Sequence, residues 1–486
     1  MAFNSIHFLL FLLAVFLLYW ITCSKTGKMQ NIFLSLLSLF FYAWWDWRFL
    51  ALLLTTILST YFFGLLIAKA KKRETIIMKK KKSGWILTGI LSLNIGILLF
   101  FKYFSFFVQS FIDAFSFFGN DLNITLYKII LPVGISFYTF TALSYIIDVY
   151  KDKTAPTNDL FAYIAYVSFF PALFSGPIGR STEQLPQFFS KRVFNYSLIT
   201  KGGQLMLWGF FMKLCIADRA AIYVDSIYNN VAQHNGFSMI LATVLYAFQL
   251  YCDFGGYSLI AIGAGTLFGI RLQENFKRPY LSTSFSNYWK RNHISLTQWL
   301  MDYIYYPLIG KSSKLRYWNL CMIITFLISG LWHGAAWTFV LWGVYQGIFI
   351  VLSTNIAKRR KKFEKKMNFQ KNVLYKTVTI VTTFGIICFG LIFFRANNVS
   401  DAFHVIKNIF VNAHPALYID LKTLAYMGIG MSILLFKDFR DEFFPRKLRV
   451  FESPYTAVRL SGYTFLIVCI LLTGVFDQTQ FIYFQF

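Results

Sequence analysis

The sequence predicts an all-α polytopic membrane protein, and three observations carry that prediction. First, hydrophobic residues make up 57% of the 486 and charged residues only 14%, against about 25% charged in a soluble domain. With 20% aromatic residues and a mean hydropathy of +0.54, the chain carries more apolar surface than a soluble globule could bury. Second, apolar runs of spanning length recur from end to end. Third, the net charge of +26 is concentrated in short stretches between those runs, such as Lys69–Lys82 and Lys358–Lys371. That is the positive-inside pattern of cytoplasmic loops, reinforced by anionic lipid. A secreted scaffold, a disordered chain and a cytosolic enzyme are excluded. So is a nucleic-acid binder, because no reading module accompanies the charge.

The apolar segments fall at 6–22, 31–46, 48–68, 85–108, 129–148, 160–178, 204–226, 237–270, 318–332, 335–354, 376–394, 422–436 and 459–477. The first follows an uncharged start and lacks a cleavage signature, so it is expected to be a retained helix. The connections at 23–30, 69–84, 149–159, 179–203, 271–317, 355–375 and 437–458 are basic and expected on the cytoplasmic side. Those at 109–128, 227–236 and 395–421 are expected outside. Segment 160–178 lies between two basic connections and holds Pro171, Gly176 and Pro177, so it should enter and leave on one face. About 11–13 membrane segments result, near twelve crossings, in one integral-membrane domain over 1–486. Its N-terminal spans are 1–128, its core 129–354 and its C-terminal spans 355–486.

Residues 271–317 are too polar to span and too aromatic for a linker. Trp289, Ile294, Trp299 and Tyr303 recur at helical spacing, with Arg291, Asn292 and Gln298 between them. This predicts an amphipathic helix, either interfacial or walling a polar site.

Polar groups at membrane depth are the informative ones, since a charge there costs roughly 2.5–3.5 kcal/mol on insertion scales. His333 lies between two apolar stretches, with Gly330 and Gly334 close by and Trp332 and Trp337 able to wall a pocket. A neutral imidazole there could take a proton from a hydroxyl, as acyl transfer to an alcohol requires. It could equally hydrogen-bond between packed helices. His293 is a second candidate, with an interfacial polar role as its alternative. Asp253 is an acid in a long apolar run, suited to orienting a histidine or to a buried ion pair. The sequence has no GxSxG elbow, HExxH motif, Walker A loop or Cys/His cluster with zinc spacing, so no metal is expected. The six cysteines are scattered and read as small buried residues. These residues alone leave enzyme and transporter both open.

Five motifs, spread over most of the chain, resemble the membrane-bound O-acyltransferase family. They are Leu131-Pro-Val-Gly-Ile-Ser-Phe-Tyr-Thr-Phe140 with Ser144-Tyr-Ile-Ile-Asp-Val-Tyr150, Phe169-Phe-Pro-Ala-Leu-Phe-Ser-Gly-Pro-Ile178, Tyr251-Cys-Asp-Phe-Gly-Gly-Tyr-Ser258, Trp289-Lys-Arg-Asn-His-Ile-Ser-Leu-Thr-Gln-Trp299 and Gly330-Leu-Trp-His-Gly-Ala-Ala-Trp337. The resemblance is to the bacterial branch that O-acetylates alginate and peptidoglycan, and the terminal Phe481–Phe486 run fits the same branch.

The resemblance implies a helical bundle with re-entrant and amphipathic helices around a central tunnel. It implies a multi-pass acyltransferase of the bacterial cytoplasmic (inner) membrane, with His333 as the essential catalytic residue and His293 beside it. Asp253, Asn292, Gln298, Trp299, Trp332 and Trp337 are then expected to line the tunnel. Lys277, Arg278, Lys290 and Arg291 would attract an anionic donor at its cytoplasmic mouth. The implied donor is acetyl-CoA, with no bound cofactor. The implied partners are membrane lipid, an exported polysaccharide acceptor and a periplasmic or extracellular SGNH-type O-acetyltransferase. Within the family the alternative is a D-alanyl transferase for teichoic acids. Outside it, the alternative is a polysaccharide or lipid-intermediate transporter.

Overall fold

The computed structural model describes the chain except residues 1–2, 4, 74–75, 119–128, 370–371, 413, 415–417, 420, 446–448, 477–480 and 482–486. Parts of the basic runs near 74–75 and 370–371, part of the 109–128 connection and most of the terminal motif therefore lie outside the described residues. Every regular element among those described is helical. Seven described helices are long and apolar enough to cross a membrane, and the apolar Ile6–Thr22 is slightly shorter. The expected segments at 31–46, 129–148, 204–226 and 422–436 are also helical but fall outside those seven. Polar side chains, an interruption or shortness keeps each of them outside that group.

The chain divides into two compact units. The first comprises Met1–Gly203 with Ala261–Gln273. It holds α1 (Ile6–Thr22), α2 (Gly27–Trp45), α3 (Leu50–Arg73), α4 (Ile76–Phe117), α5 (Ile135–Tyr150), α6 (Leu160–Ser168) and the start of α7 (Tyr196–Phe211). Side-chain caps set several starts: Ser5 accepts from Phe8 N at 3.2 Å, Thr26 from Met29 N at 3.2 Å and Asp159 from Ala162 N at 2.9 Å. α3 packs against α4 and α5, and α2 against α6.

The nine residues of α6 rise about 14 Å, roughly half the hydrocarbon thickness. The chain then breaks into turns through Pro171, Gly176 and Pro177. Segment 160–178 thus is not one continuous spanning helix, as its helix breakers predict. Those turns press on the start of α5. Gly134 there has φ +75°, and a Cβ on it would sit 2.5 Å from the Leu173 carbonyl oxygen. Only glycine fits that backbone and that approach.

The second unit comprises Gln204–Ile260 with Glu274–Phe486. After α7 the helix widens into a π-helical stretch, Met212–Ala217, and continues as α8 (Asp218–Tyr228), followed by α9 (Gly236–Leu267), whose last turns belong to the first unit. Then come α10 (Phe285–Trp289), α11 (Ile294–Leu300), α12 (Tyr306–Ile309), α13 (Leu315–His333), α14 (Trp337–Lys366), α15 (Val373–Arg395), α16 (Val399–Val411), α17 (Leu421–Phe443) and α18 (Thr456–Thr473).

α13 and α14 form the tightest pair. Their backbones meet at two glycines: a Cβ on Gly330 would lie 2.2 Å from the Phe339 carbonyl oxygen, and one on Gly343 2.6 Å from that of Phe326. Between lipid-embedded helices such close packing replaces the hydrophobic effect as the associating force. α14 also packs on α15 and α10, while α17 and α18 pack on the π-helical stretch.

One expectation changes here. The continuous amphipathic helix read from Trp289 to Tyr303 is broken: α10 ends at Trp289, and α11 begins only at Ile294. The break is local and conformational, because His293 adopts left-handed dihedrals, φ 44° and ψ 53°. Helical periodicity of side chains cannot reveal such a residue. The connection 395–421, expected outside, contains a helix, α16, with Ala402 and Val405 buried and Phe403 and Phe410 exposed.

Candidate active site

His333 is the last residue of α13, and Gly334 ends the helix by leaving helical dihedrals. A Cβ on Gly334 would fall 2.1 Å from the Phe339 ring, so glycine lets the chain turn there and seat Phe339. The imidazole is buried, 4% exposed. The Trp342 ring from α14 stands edge-on at 5.1 Å, the Phe394 ring from α15 at 5.2 Å and the neighbouring Trp332 at 5.0 Å. Three crossing helices therefore build one aromatic box around it.

The fourth side is His293, whose ring centroid lies 6.1 Å from that of His333. Trp332 packs against both histidines, at 5.6 Å from His293. Phe254 of α9 stands edge-on to His293 at 4.6 Å, and Phe276 stacks at 6.3 Å. His293 is 2% exposed, and burial pushes its imidazole down to about 3. It is neutral at any physiological pH.

A second polar side chain organises this edge. Asn275 Oδ1 lies 3.2 Å from His293 Nδ1 and accepts from Ser295 N at 3.2 Å and Ser295 Oγ at 2.9 Å. Its Nδ2 donates to Ser258 Oγ at 3.2 Å. In the backbone, Ile294 N donates to the Asn275 carbonyl at 2.9 Å and Lys277 N to that of Arg291 at 2.8 Å. Residues 275–277 thereby zip along 291–295.

The other predicted residues divide. Trp332 joins the aromatic box. Trp337, at the first position of α14, is 56% exposed, and the buried indole that this helix sets against His333 is Trp342. Trp299 is buried and packs on Tyr303 at 5.0 Å. Gln298 is exposed and Asn292 half-buried. Asp253 follows the ion-pair alternative: its carboxylate meets Lys213 Nζ at 2.5 Å, and Asp218 meets the same nitrogen at 2.8 Å. All three are buried, and Lys213 sits on the π-helical turn, 4.4 Å from the Phe481 ring centroid.

Of the basic quartet, Lys277 and Lys290 are exposed. Arg278 and Arg291 each pair at 2.8 Å with Glu442, at the end of α17. Burial pushes the Glu442 carboxyl up, but the two guanidiniums outweigh it and hold it below its ordinary range.

Sequence reading missed Asn275, Trp342, Phe394 and Glu442, which carry no local mark. It also missed Lys213 and Asp218, although charges inside the apolar run 204–226 were a usable signal. Chemically, the site offers two buried imidazoles in an aromatic surround. A neutral imidazole can accept a proton from a hydroxyl, and the surround restricts water.

Comparison with known proteins points the same way. A family model described as the membrane-bound O-acyltransferase family matches residues 154–395, which include both histidines. The chain is 36% identical to a probable alginate O-acetylase of Pseudomonas syringae pv. tomato, over 83% of this chain and 74% of that protein. It is 33% identical to a peptidoglycan O-acetyltransferase of Helicobacter pylori, over 83% and 79%. Similarity to a teichoic acid D-alanyltransferase of Bacillus subtilis is weaker, 26% over 55% of this chain and 69% of that one.

Proposed function

Since the chain belongs to the membrane-bound O-acyltransferase family and is a multi-pass membrane acyltransferase, we propose that it O-acetylates an exported cell-surface polysaccharide. The proposed polymer is alginate-like or peptidoglycan, and the proposed donor is cytoplasmic acetyl-CoA, whose acetyl group is passed across the inner membrane. An SGNH-type acetyltransferase outside would complete delivery to the polymer. The greater similarity to O-acetylating relatives, at 33–36% against 26% for the D-alanyl transferase, supports acetyl over D-alanyl transfer.

The observation that carries this reading is the buried His293–His333 pair in its aromatic box. His333 accepts the proton of the acceptor hydroxyl as its oxygen attacks the thioester carbonyl. The tetrahedral intermediate then expels the thiolate, which recovers that proton from the imidazolium. The ester stays on the acceptor and free thiol leaves. His293, neutral throughout, orients the reacting groups.

General-base catalysis is worth about 10²–10⁴-fold. His333→Gln keeps size and a hydrogen-bonding group but cannot take the proton at neutral pH. At equal membrane abundance it should abolish polymer-bound acetate, measured after mild alkaline release. Near-normal acetylation in that variant would reduce His333 to a packing residue.

A further inference from the structure

We propose that Asn275 is a positioning residue for acyl transfer, holding the single proton of the His293 ring on Nδ1 so that Nε2 keeps its lone pair for the pocket shared with His333. The inference rests on the reading of that pair as the reacting centre.

The orientation of the Asn275 amide follows from its neighbours. The Ser295 backbone N–H can only donate, and it points at the amide from 3.2 Å. The atom facing it must be the oxygen. Nδ2 then has the Ser258 hydroxyl as its acceptor at 3.2 Å, consistent with the same orientation. The oxygen also faces His293 Nδ1 at 3.2 Å. If Nδ1 were bare, two lone pairs would oppose each other in a buried site. With a proton there, the contact is a hydrogen bond. A neutral imidazole has only one N–H, so Nε2 is left as an acceptor.

The backbone enforces the same arrangement. His293 holds φ 44°, a left-handed conformation that strains a residue with a Cβ. The bonds from Ile294 N to the Asn275 carbonyl and from Ser295 to its side chain grip the chain on the C-terminal side of that residue. One asparagine thus fixes the backbone beside His293 and the tautomer of its ring. A bare Nε2 can accept a hydrogen bond from the acceptor alcohol, or from a His333 N–H once that ring has taken the proton. The opposite tautomer would present an N–H and could do neither.

The test uses the full-length protein in lipid nanodiscs with ring-¹⁵N histidine. Long-range proton–nitrogen spectra report which ring nitrogen is protonated, and the His293 signal is identified by its loss in His293→Gln. The wild type should carry the proton on Nδ1. Asn275→Asp keeps the accepting oxygen and should keep both that tautomer and most of the turnover with acetyl-CoA. Asn275→Leu should move the proton toward Nε2 and lower kcat about 10- to 100-fold, within the range that acid–base chemistry contributes, with KM for acetyl-CoA little changed. A wild-type proton on Nε2, or an unchanged tautomer in Asn275→Leu, would overturn the proposal. Should Asn275→Leu fail to insert, the wild-type and Asn275→Asp spectra still decide it. The tautomer is read without turnover, so an active His333→Gln would sink the catalytic reading separately.

Discussion

Arg291 gives its guanidinium to Glu442, 2.8 Å away at the far end of α17, and Arg278 binds the second oxygen of the same carboxylate at 2.8 Å. Two of the four basic residues expected to draw in an anionic donor therefore have their charge committed internally. Lys277 and Lys290 remain exposed, and donor attraction should fall to them. Lys277→Glu with Lys290→Glu should raise the apparent KM for acetyl-CoA several-fold at low ionic strength and much less at high salt, with kcat retained. A KM that does not respond in low salt would mean that these lysines only face lipid or solvent.

Lys213 holds two buried carboxylates. Removing one partner of a buried ion pair typically costs about 3–5 kcal/mol, because the remaining charge is stranded. Lys213→Met should thus sharply lower the thermal stability of the detergent-solubilised protein. Lys213→Met combined with Asp218→Asn and Asp253→Asn should recover most of it. If the single variant melts like the wild type, the triad is structurally idle.

Glycine at the α13–α14 contact should be irreplaceable. Gly343→Ala places a methyl 2.6 Å from a carbonyl oxygen and should prevent the helices from closing on His333, with loss of monodisperse protein and of acetylation. Gly428→Ala on α17, where a Cβ meets nothing within 4 Å, serves as the control and should behave as the wild type. Equal yields from both would contradict the packing described.

His293 also makes a prediction about pH. Its imidazole is lowered from the ordinary 6.5 to about 3 by burial, so the unfolded chain takes up a proton more readily than the folded one. Stability from this site is complete above about pH 6.5 and declines as pH falls toward 3. His293→Gln should flatten that part of the melting temperature–pH curve. A curve of unchanged slope would mean that His293 is not the group titrating.

Much of this molecule was legible before folding was considered. Pro171, Gly176 and Pro177, between two basic connections, marked a segment unsuited to one continuous spanning helix, and α6 does end at Ser168. His333 was legible as an ionisable group at membrane depth beside two glycines. The left turn at His293 was not: helical spacing of Trp289, Ile294, Trp299 and Tyr303 says where side chains would fall if the helix continued, and nothing about a single residue that leaves it.

By itself, then, the sequence determined that the chain is a multi-pass α-helical membrane protein, where its apolar segments lie and which histidines are out of place among them. These follow from transfer free energies, which add residue by residue along the chain. Only the tertiary structure decided that Trp342 and Phe394 close the box around His333, that Asn275 faces His293, that Asp253 answers to Lys213, and that Glu442 takes Arg278 and Arg291. Each of those pairings joins residues far apart in the chain. Its energy exists only once the helices have packed, and local pattern carries no record of it.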